Sequence, residues 1–496
     1  MVCGTASDAG KSHVVSGLCR ALARRGVRVA PFKAQNMALN SWVTADGAEI
    51  GRAQGIQAVA AGVEPEAAMN PILLKPTSER TSQVVVMGHP VGHLDAVAYH
   101  ARKPHLLGVV TDALADLRSR HDVVICEGAG NPAEINLIDH DIVNLAVAEA
   151  AGLSAIVVGD IDRGGVFAAF YGTVALLPER YARLVGGFVI NKLRGDPALL
   201  VGGPQELERR CGIPVLGVLP FVHDVALDAE DSLALSGVRP RPGAAAVADT
   251  LDVVAVQLPR MANFTDLDAL GLEPGVDLRL VDRASGIGDP DLIVLPGTKA
   301  TVADLDWLRG RGLDRALGDA LRRGSVVLGL CGGYQMLGWR ICDQVESGRG
   351  EVEGLGLLDV ETTFEPTKVT RQRRGHGRGQ WGLDGQRVSG YEIRHGRPRV
   401  GAGATPWLDL DDAYGYEAEG AASANVLGTS LHGLLDEDGI RAALLVEVSR
   451  RRGRKFVPAG VSFAAAREDQ LDRLADLMEA HLDWPRLEAL IEAGAP

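Results

Sequence analysis

Residues 4–12 read GTASDAGKS, and the reading of this stretch decides the fold of the first half of the chain. Gly4 and Gly10 enclose five residues, one more than the common phosphate-cradling pattern allows. The chemical parts are nevertheless present. Gly10 lets the backbone approach a phosphate, Lys11 brings a cation to the outer phosphates, and Ser12 can place a hydroxyl on Mg2+. Thr5, Asp8 and Ala9 complete the loop that would wrap a nucleotide. The following SHVVSGLCRALARRG has helical periodicity and ends at Gly26, so bound phosphates would meet the positive end of a helix. Only three residues precede Gly4, where a feeding strand of about five or six is usual. Either the strand is short or the chain begins late.

A nucleotide loop needs a carboxylate at a neighbouring strand end. Glu127 in VVICEGAG follows four apolar residues and precedes glycines, which places it at the carboxyl edge of a parallel sheet as a metal ligand. Asp46 and Glu49 in TADGAEIG are further acids in a loop-like region, readable equally as helix caps. Apolar β-branched runs at 27–34, 122–130, 153–161, 184–192 and 213–220, separated by helical stretches, indicate a mostly parallel α/β sheet. We expect this P-loop domain over 1–235 and a proline- and glycine-rich linker over 236–250. A second, different α/β domain is expected over 251–445, with strands at 251–259, 290–298 and 325–333, and a helical tail over 446–496. EDQLDRLADLMEAHL (468–482) has leucines at helical spacing and reads as a docking helix; TRQRRGHGRGQW (370–381) reads as a solvated hairpin or loop.

In the second domain, VVLGLCGGYQML runs a strand into Cys331 and glycines before a helical pattern resumes. This is the strand, tight turn and helix of a nucleophile elbow, with cysteine as the nucleophile. A helix N-terminus favours the thiolate form of a cysteine. The backbone N–H groups of Gly332 and of Gly297 in LPGT could form an oxyanion hole. The base is expected to be His432 in VLGTSLHGLLD, 101 residues downstream, with His395 in YEIRHG as its rival. The alternative is a buried structural cysteine.

Composition sets the frame. A formal charge of −13 argues against broad nucleic-acid binding, and no apolar run approaches the roughly 18–20 residues of a membrane span. No secretion signal is evident, so a cytoplasmic enzyme acting on small molecules is expected. The six cysteines include no C-x-x-C pair, which suggests neither a zinc site nor a disulfide framework.

GTASDAGKS, FKAQNMALNS, DGAEIGRAQ, MNPILLKP, EGAGNPAEINL, DIDRGGVFA, NKLRGD, NFTDLDAL, LPGTKAT, GLCGGYQMLG and TSLHG together resemble the cobyric acid synthase family over almost the whole chain. The first half is similar to the dethiobiotin synthetase-like branch of P-loop proteins, whose loop has the same extra residue. The second is similar to flavodoxin-like class I glutamine amidotransferases, whose G-x-C-x-G-x-Q is here Gly329, Cys331, Gly333 and Gln335. The resemblance implies ATP and Mg2+ as cofactors, and glutamine and adenosylcobyrinic acid a,c-diamide as substrates. It also implies amidation of the b, d, e and g carboxylates through acyl phosphates. By the same resemblance Ser12 and Glu127 hold the magnesium, Asp46 and Glu49 lie near phosphoryl transfer, Asn191 contacts the nucleotide base, Gln335 binds glutamine, and Asn36, Asn40 and Asn70 face the corrinoid. Class I enzymes commonly follow the histidine with proline and glutamate. Here Gly433 and Leu434 follow, so a Cys-His dyad without an identified orienting group is expected. Cobyrinic acid a,c-diamide synthase, of similar architecture, and a P-loop regulatory or partitioning ATPase remain as alternatives.

Overall fold

The computed structural model of the protein describes residues 1–78, 80–222, 225, 250–379 and 381–495. The expected linker, Thr250 excepted, lies outside the described residues. The chain divides into two compact units: Met1–Ala38, Ala48–Leu227 and Arg467–Pro496 form the first, and Leu39–Gly47 and Asp228–Ala466 the second.

In the first unit, parallel strands lie in the order Val29–Phe32, Val123–Cys126, Val2–Gly4, Ala155–Asp160, Val185–Leu193 and Val215–Pro220, the second and third joined through a Val2–Glu127 bridge. Their near-continuous apolar character is what burial on both faces demands. Phe32, Val110, Leu114 and Cys126 belong to one hydrophobic cluster, and Val157, Phe170, Phe188 and Ile190 to another. Each large side chain so buried contributes about 1.5–3 kcal/mol. The strand Val2–Gly4 is short, yet all three residues are buried and paired with Ile156–Val158. A smaller sheet, Gln35–Met37, Ile72–Pro76, Thr81–Val86 and His89–Asp95, stands beside this path.

The docking helix of the tail is Phe463–His481. It belongs mostly to the first unit because its apolar face closes over the phosphate-loop helix Lys11–Arg24. A Cβ at Gly17 would come within 2.7 Å of Met478 Cγ and 2.8 Å of the Leu474 carbonyl oxygen. Arg20 pairs with Glu468 at 2.7 Å and Asp472 at 2.8 Å along the rim, where exposed pairs contribute little. Close approach at Gly17 is the stronger constraint. Gly17→Val is therefore expected to cost about 1–3 kcal/mol through overpacking, read as a melting temperature lowered by several degrees.

The second unit is a doubly wound sheet in the order Val276–Val281, Leu251–Val256, Leu292–Leu295, Val326–Leu330 and Val426–Thr429, all parallel, with Ala421–Ser423 antiparallel at one edge. In chain order of the parallel strands this is 2-1-3-4-5, the flavodoxin-like arrangement, whose ligands bind beyond the carboxyl ends at the point where strand order reverses. The arginine-rich segment is not simply solvated. It continues the strand Val360–Gly377, which pairs antiparallel with Arg387–Val400. Arg373 is buried there because Glu417 (2.7 Å) and Glu392 (3.5 Å) compensate its charge.

Candidate functional site

The first centre lies at the carboxyl edge of the parallel sheet. Gly10 adopts φ 94°, ψ 27°, and a Cβ there would strike Asn191 Nδ2 at 2.2 Å, so only glycine fits between loop and asparagine. Asn191 Nδ2 donates to the Ala9 carbonyl (2.9 Å), which seats this side chain against the loop. Lys11 is buried and its ammonium donates to the Ala6 carbonyl at 2.9 Å and the Ser7 carbonyl at 3.2 Å. Thr5 N–H bonds the Val158 carbonyl (2.8 Å), and Asp8 pairs with Arg163 (2.7 Å).

Ser12 Oγ donates to Glu127 Oε1 over 2.9 Å, bringing together two oxygen donors of the kind a hard cation takes. Two residues that sequence reasoning missed complete the cluster. Buried Lys33 donates to the same Glu127 oxygen at 2.9 Å, and Gln57 Nε2 donates to Oε2. Lys33 is legible in hindsight as a charged residue straight after an apolar strand, at the edge where ligands bind; Gln57 sits inside a helix and carries no such signal.

Glu49 forms an ion pair with Lys75, both side chains buried. Asn36 Nδ2 donates to Gln54 Oε1 (2.9 Å). Asn70 spends its amide on backbone, accepting from Gly51 N–H (2.9 Å) and donating to the carbonyls of Lys33 and Ile72 (3.0 Å each), so the turn reading of that residue suits its geometry. Asp46 and Asn40 fall in the segment grouped with the second unit. Asp46 accepts from Thr44 Oγ1, and Asn40 Oδ1 accepts from Phe264 N–H at 3.0 Å.

The second centre gathers at the carboxyl ends of four parallel strands. Cys331, directly after Val326–Leu330, has φ 48° and ψ −106°. A non-glycine residue held there stores roughly 1–3 kcal/mol of strain, a common feature of nucleophile elbows. The turn survives because Cys331 N–H bonds the Thr429 carbonyl (2.8 Å) and the Cys331 carbonyl accepts from Gln335 N–H (3.0 Å). Gly297 and Gly332 pack where side chains would collide: a Cβ on the first would meet His432 Cε1 at 2.7 Å, and one on the second Thr298 N at 3.0 Å. The Gly297–Thr298 turn, Gly332 and His432 therefore converge beside the thiol. Gln335 Oε1 accepts from Thr301 Oγ1 at 3.2 Å.

His432, not His395, is the histidine set against Cys331, whose sulfur helps hold the imidazole in its charged form. His395 instead engages the Glu365 carbonyl through Nδ1 (2.9 Å), and burial pushes its imidazole down. The orienting group absent after His432 comes from elsewhere in the chain. Asp266 of NFTDLDAL accepts from His432 Nδ1 and from Gly433 N–H, each at 2.7 Å. Burial opposes the charged imidazole, but the Asp266 carboxylate and the Cys331 sulfur outweigh it and push His432 up to about 10. Sequence spacing could not reveal Asp266, which lies 166 residues before the histidine.

Residues 1–234 match the CobQ/CobB/MinD/ParA nucleotide binding domain, and residues 252–440 match the CobB/CobQ-like glutamine amidotransferase domain. The chain is thus a P-loop nucleotide-binding protein joined to a glutamine amidotransferase. It is 52% identical over 516 residues to a cobyric acid synthase of Frankia casuarinae, covering 100% of this chain and 97% of that protein. With those of Rhodococcus jostii and Streptomyces coelicolor it shares 54% and 53% identity, covering 100% of this chain in each case and 96% and 97% of those proteins. It belongs to the cobyric acid synthase family. No helix among the described residues is long and apolar enough to cross a membrane.

Proposed function

We propose that the protein amidates the b, d, e and g carboxylates of adenosylcobyrinic acid a,c-diamide, using ATP and glutamine-derived ammonia. The observation that carries this reading is the presence in one chain of a Ser12–Glu127 phosphate-loop pair and a Cys331–His432–Asp266 relay. One half suits activating a carboxylate, the other releasing ammonia.

A carboxylate resists nucleophiles because its charge repels them. Transfer of the ATP γ-phosphoryl group to one carboxylate oxygen gives an acyl phosphate, and ammonia then attacks the acyl carbon and expels phosphate, leaving the amide. Lys11 and the loop amides stabilise charge on the transferred group, the largest expected catalytic contribution. Ser12 and Glu127 fit a magnesium ion as hard oxygen donors, and such an ion supplies charge neutralisation on the nucleotide phosphates. Lys33 and Gln57 hold the Glu127 carboxylate in place. In this reading Glu49 serves phosphoryl transfer, Asn36 contacts the corrinoid and Asn191 contacts the nucleotide base.

At the other centre, the Cys331 sulfur attacks the amide carbon of glutamine, and the developing oxyanion is met by the Gly297 and Gly332 N–H groups. Protonated His432 gives its proton to the departing ammonia, leaving a thioester on Cys331. His432 then takes a proton from water, which attacks the thioester and releases glutamate. Gln335 lines the glutamine pocket.

The test is to supply purified protein with ATP, Mg2+, glutamine and candidate corrinoids and to count amides by mass. Four additions to the a,c-diamide are expected. Two additions to cobyrinic acid would replace this reading with a,c-diamide synthesis, and ATP turnover without amidation would replace it with a nucleotide switch.

A further inference from the structure

Leu39–Gly47 is an excursion: the residues on either side belong to the first unit, the segment itself to the second. Its contacts fall on both flanks of the Cys331–His432–Asp266 relay. Two reciprocal side-chain-to-backbone bonds tie the segment to the turn, Asn40 Oδ1 accepting from Phe264 N–H (3.0 Å) and Asn263 Oδ1 accepting from Ser41 N–H (2.8 Å). Both asparagines are buried. Asn263 has φ 51° and ψ 44°, and it starts the tight turn Phe264–Leu267 that carries Asp266. Asparagine tolerates this left-handed conformation, and Asn40 ties down the turn's first N–H from outside it.

On the other flank, Val43 packs in one cluster with Tyr391 and Ile393. Tyr391 stacks on His432 with ring centroids 5.5 Å apart, and their backbones exchange hydrogen bonds of 2.9 and 3.0 Å. The Ile393 carbonyl accepts from the Cys331 thiol at 3.7 Å. Gln372 Nε2 clamps the segment by donating to the Val43 carbonyl (2.9 Å). Through Asn40, Ser41 and Val43 the segment thus touches the supports of all three members of the relay.

We propose that residues 39–47 are a positioning element for glutamine hydrolysis, with Asn40 holding the Asp266 turn.

The test uses the full-length protein and the variants Asn40→Ala, Asn263→Ala and the double variant. Glutamine hydrolysis and amidation driven by ammonium salt are measured separately. Each single variant is expected to lose at least about 10-fold in kcat/KM for glutamine, and the double variant no more than either single, because both side chains serve one brace. The basic limb of the glutamine pH profile moves to lower pH; the titratable groups placed against His432 are Asp266, Cys331 and Tyr391. Ammonium-driven amidation by Asn263→Ala stays within about twofold of the parent. The proposal is overturned by unchanged glutamine hydrolysis with a raised KM for the corrinoid, which makes Asn40 a substrate contact. Equal loss of both activities with a lowered melting temperature also overturns it, as a general scaffold effect. If the parent protein amidates no corrinoid, the proposed function fails, while the glutamine assay still reads the brace.

Discussion

Cys331→Ala removes glutamine-dependent amidation and leaves ammonium-dependent amidation in place. No other thiol can substitute, because the φ 48° elbow presents only this side chain to the His432 ring. Among the other described cysteines, Cys3, Cys19 and Cys126 are buried in the first unit, and burial pushes their thiols up. Without a sulfur nucleophile there is no thioester, so loss of glutamine turnover should reach the detection limit, beyond about 10^4-fold. Alanine occupies less volume than cysteine, and its methyl tolerates the positive φ no worse than the thiol-bearing side chain does. The fold is therefore retained. Supplied at alkaline pH, where more of it is unprotonated, ammonia bypasses the missing step and reaches the acyl phosphate directly. Mass analysis of corrinoid amides with glutamine and with ammonium chloride checks both halves. Loss of both in a folded variant would contradict the separation of the centres.

The sheet of each unit was legible because strand burial on both faces writes continuous apolar runs, as in VVICEGAG and VVLGLCGG. The residues that terminate those runs, Glu127 and Cys331, were legible for the same reason: a parallel sheet presents chemistry where the strand stops. What the pattern could not show is convergence between distant stretches. Asp266 reaches His432 across 166 residues, and Asn40 reaches Phe264 across 224. Neither has a local signature, since an aspartate in a tight turn and an asparagine in a loop both read as capping residues. Asn70 shows the converse, a motif residue whose hydrogen bonds go to backbone. The division into consecutive blocks also missed that Leu39–Gly47 leaves the first unit and that Arg467–Pro496 returns to it. Hydrophobic periodicity reports that a helix has an apolar face, not which neighbour covers it; for Phe463–His481 that is decided by the gap at Gly17.

Asp266→Asn is expected to lower kcat/KM for glutamine by about 10^3- to 10^4-fold, approaching the loss of about 10^4 seen when an orienting aspartate becomes an amide. The geometry explains why so small a change acts strongly. Both carboxylate oxygens accept from N–H donors, His432 Nδ1–H and Gly433 N–H, at 2.7 Å each. An asparagine offers one oxygen and one NH2, so one of the two donors must face another donor in a buried site, at a cost of about 1–3 kcal/mol. If the NH2 turns toward His432, the ring takes the tautomer with its proton on Nε2, and the nitrogen facing Cys331 can no longer receive one. If it turns toward Gly433, the loop carrying His432 shifts. Either way the negative charge that stabilises the imidazolium is gone, and His432 falls from about 10 toward its ordinary value. The sign follows from linkage. A histidine raised in the folded state contributes stability in full below its unfolded pKa, near 6.5, and loses it as pH rises through about 10. The variant therefore loses stability at neutral pH relative to the parent, and its glutamine profile loses the basic limb first. Ammonium-dependent amidation is the control and should be preserved. Retention of more than about a tenth of glutamine hydrolysis, with an unshifted basic limb, would show that Cys331 and His432 work as a pair and that Asp266 only holds the turn.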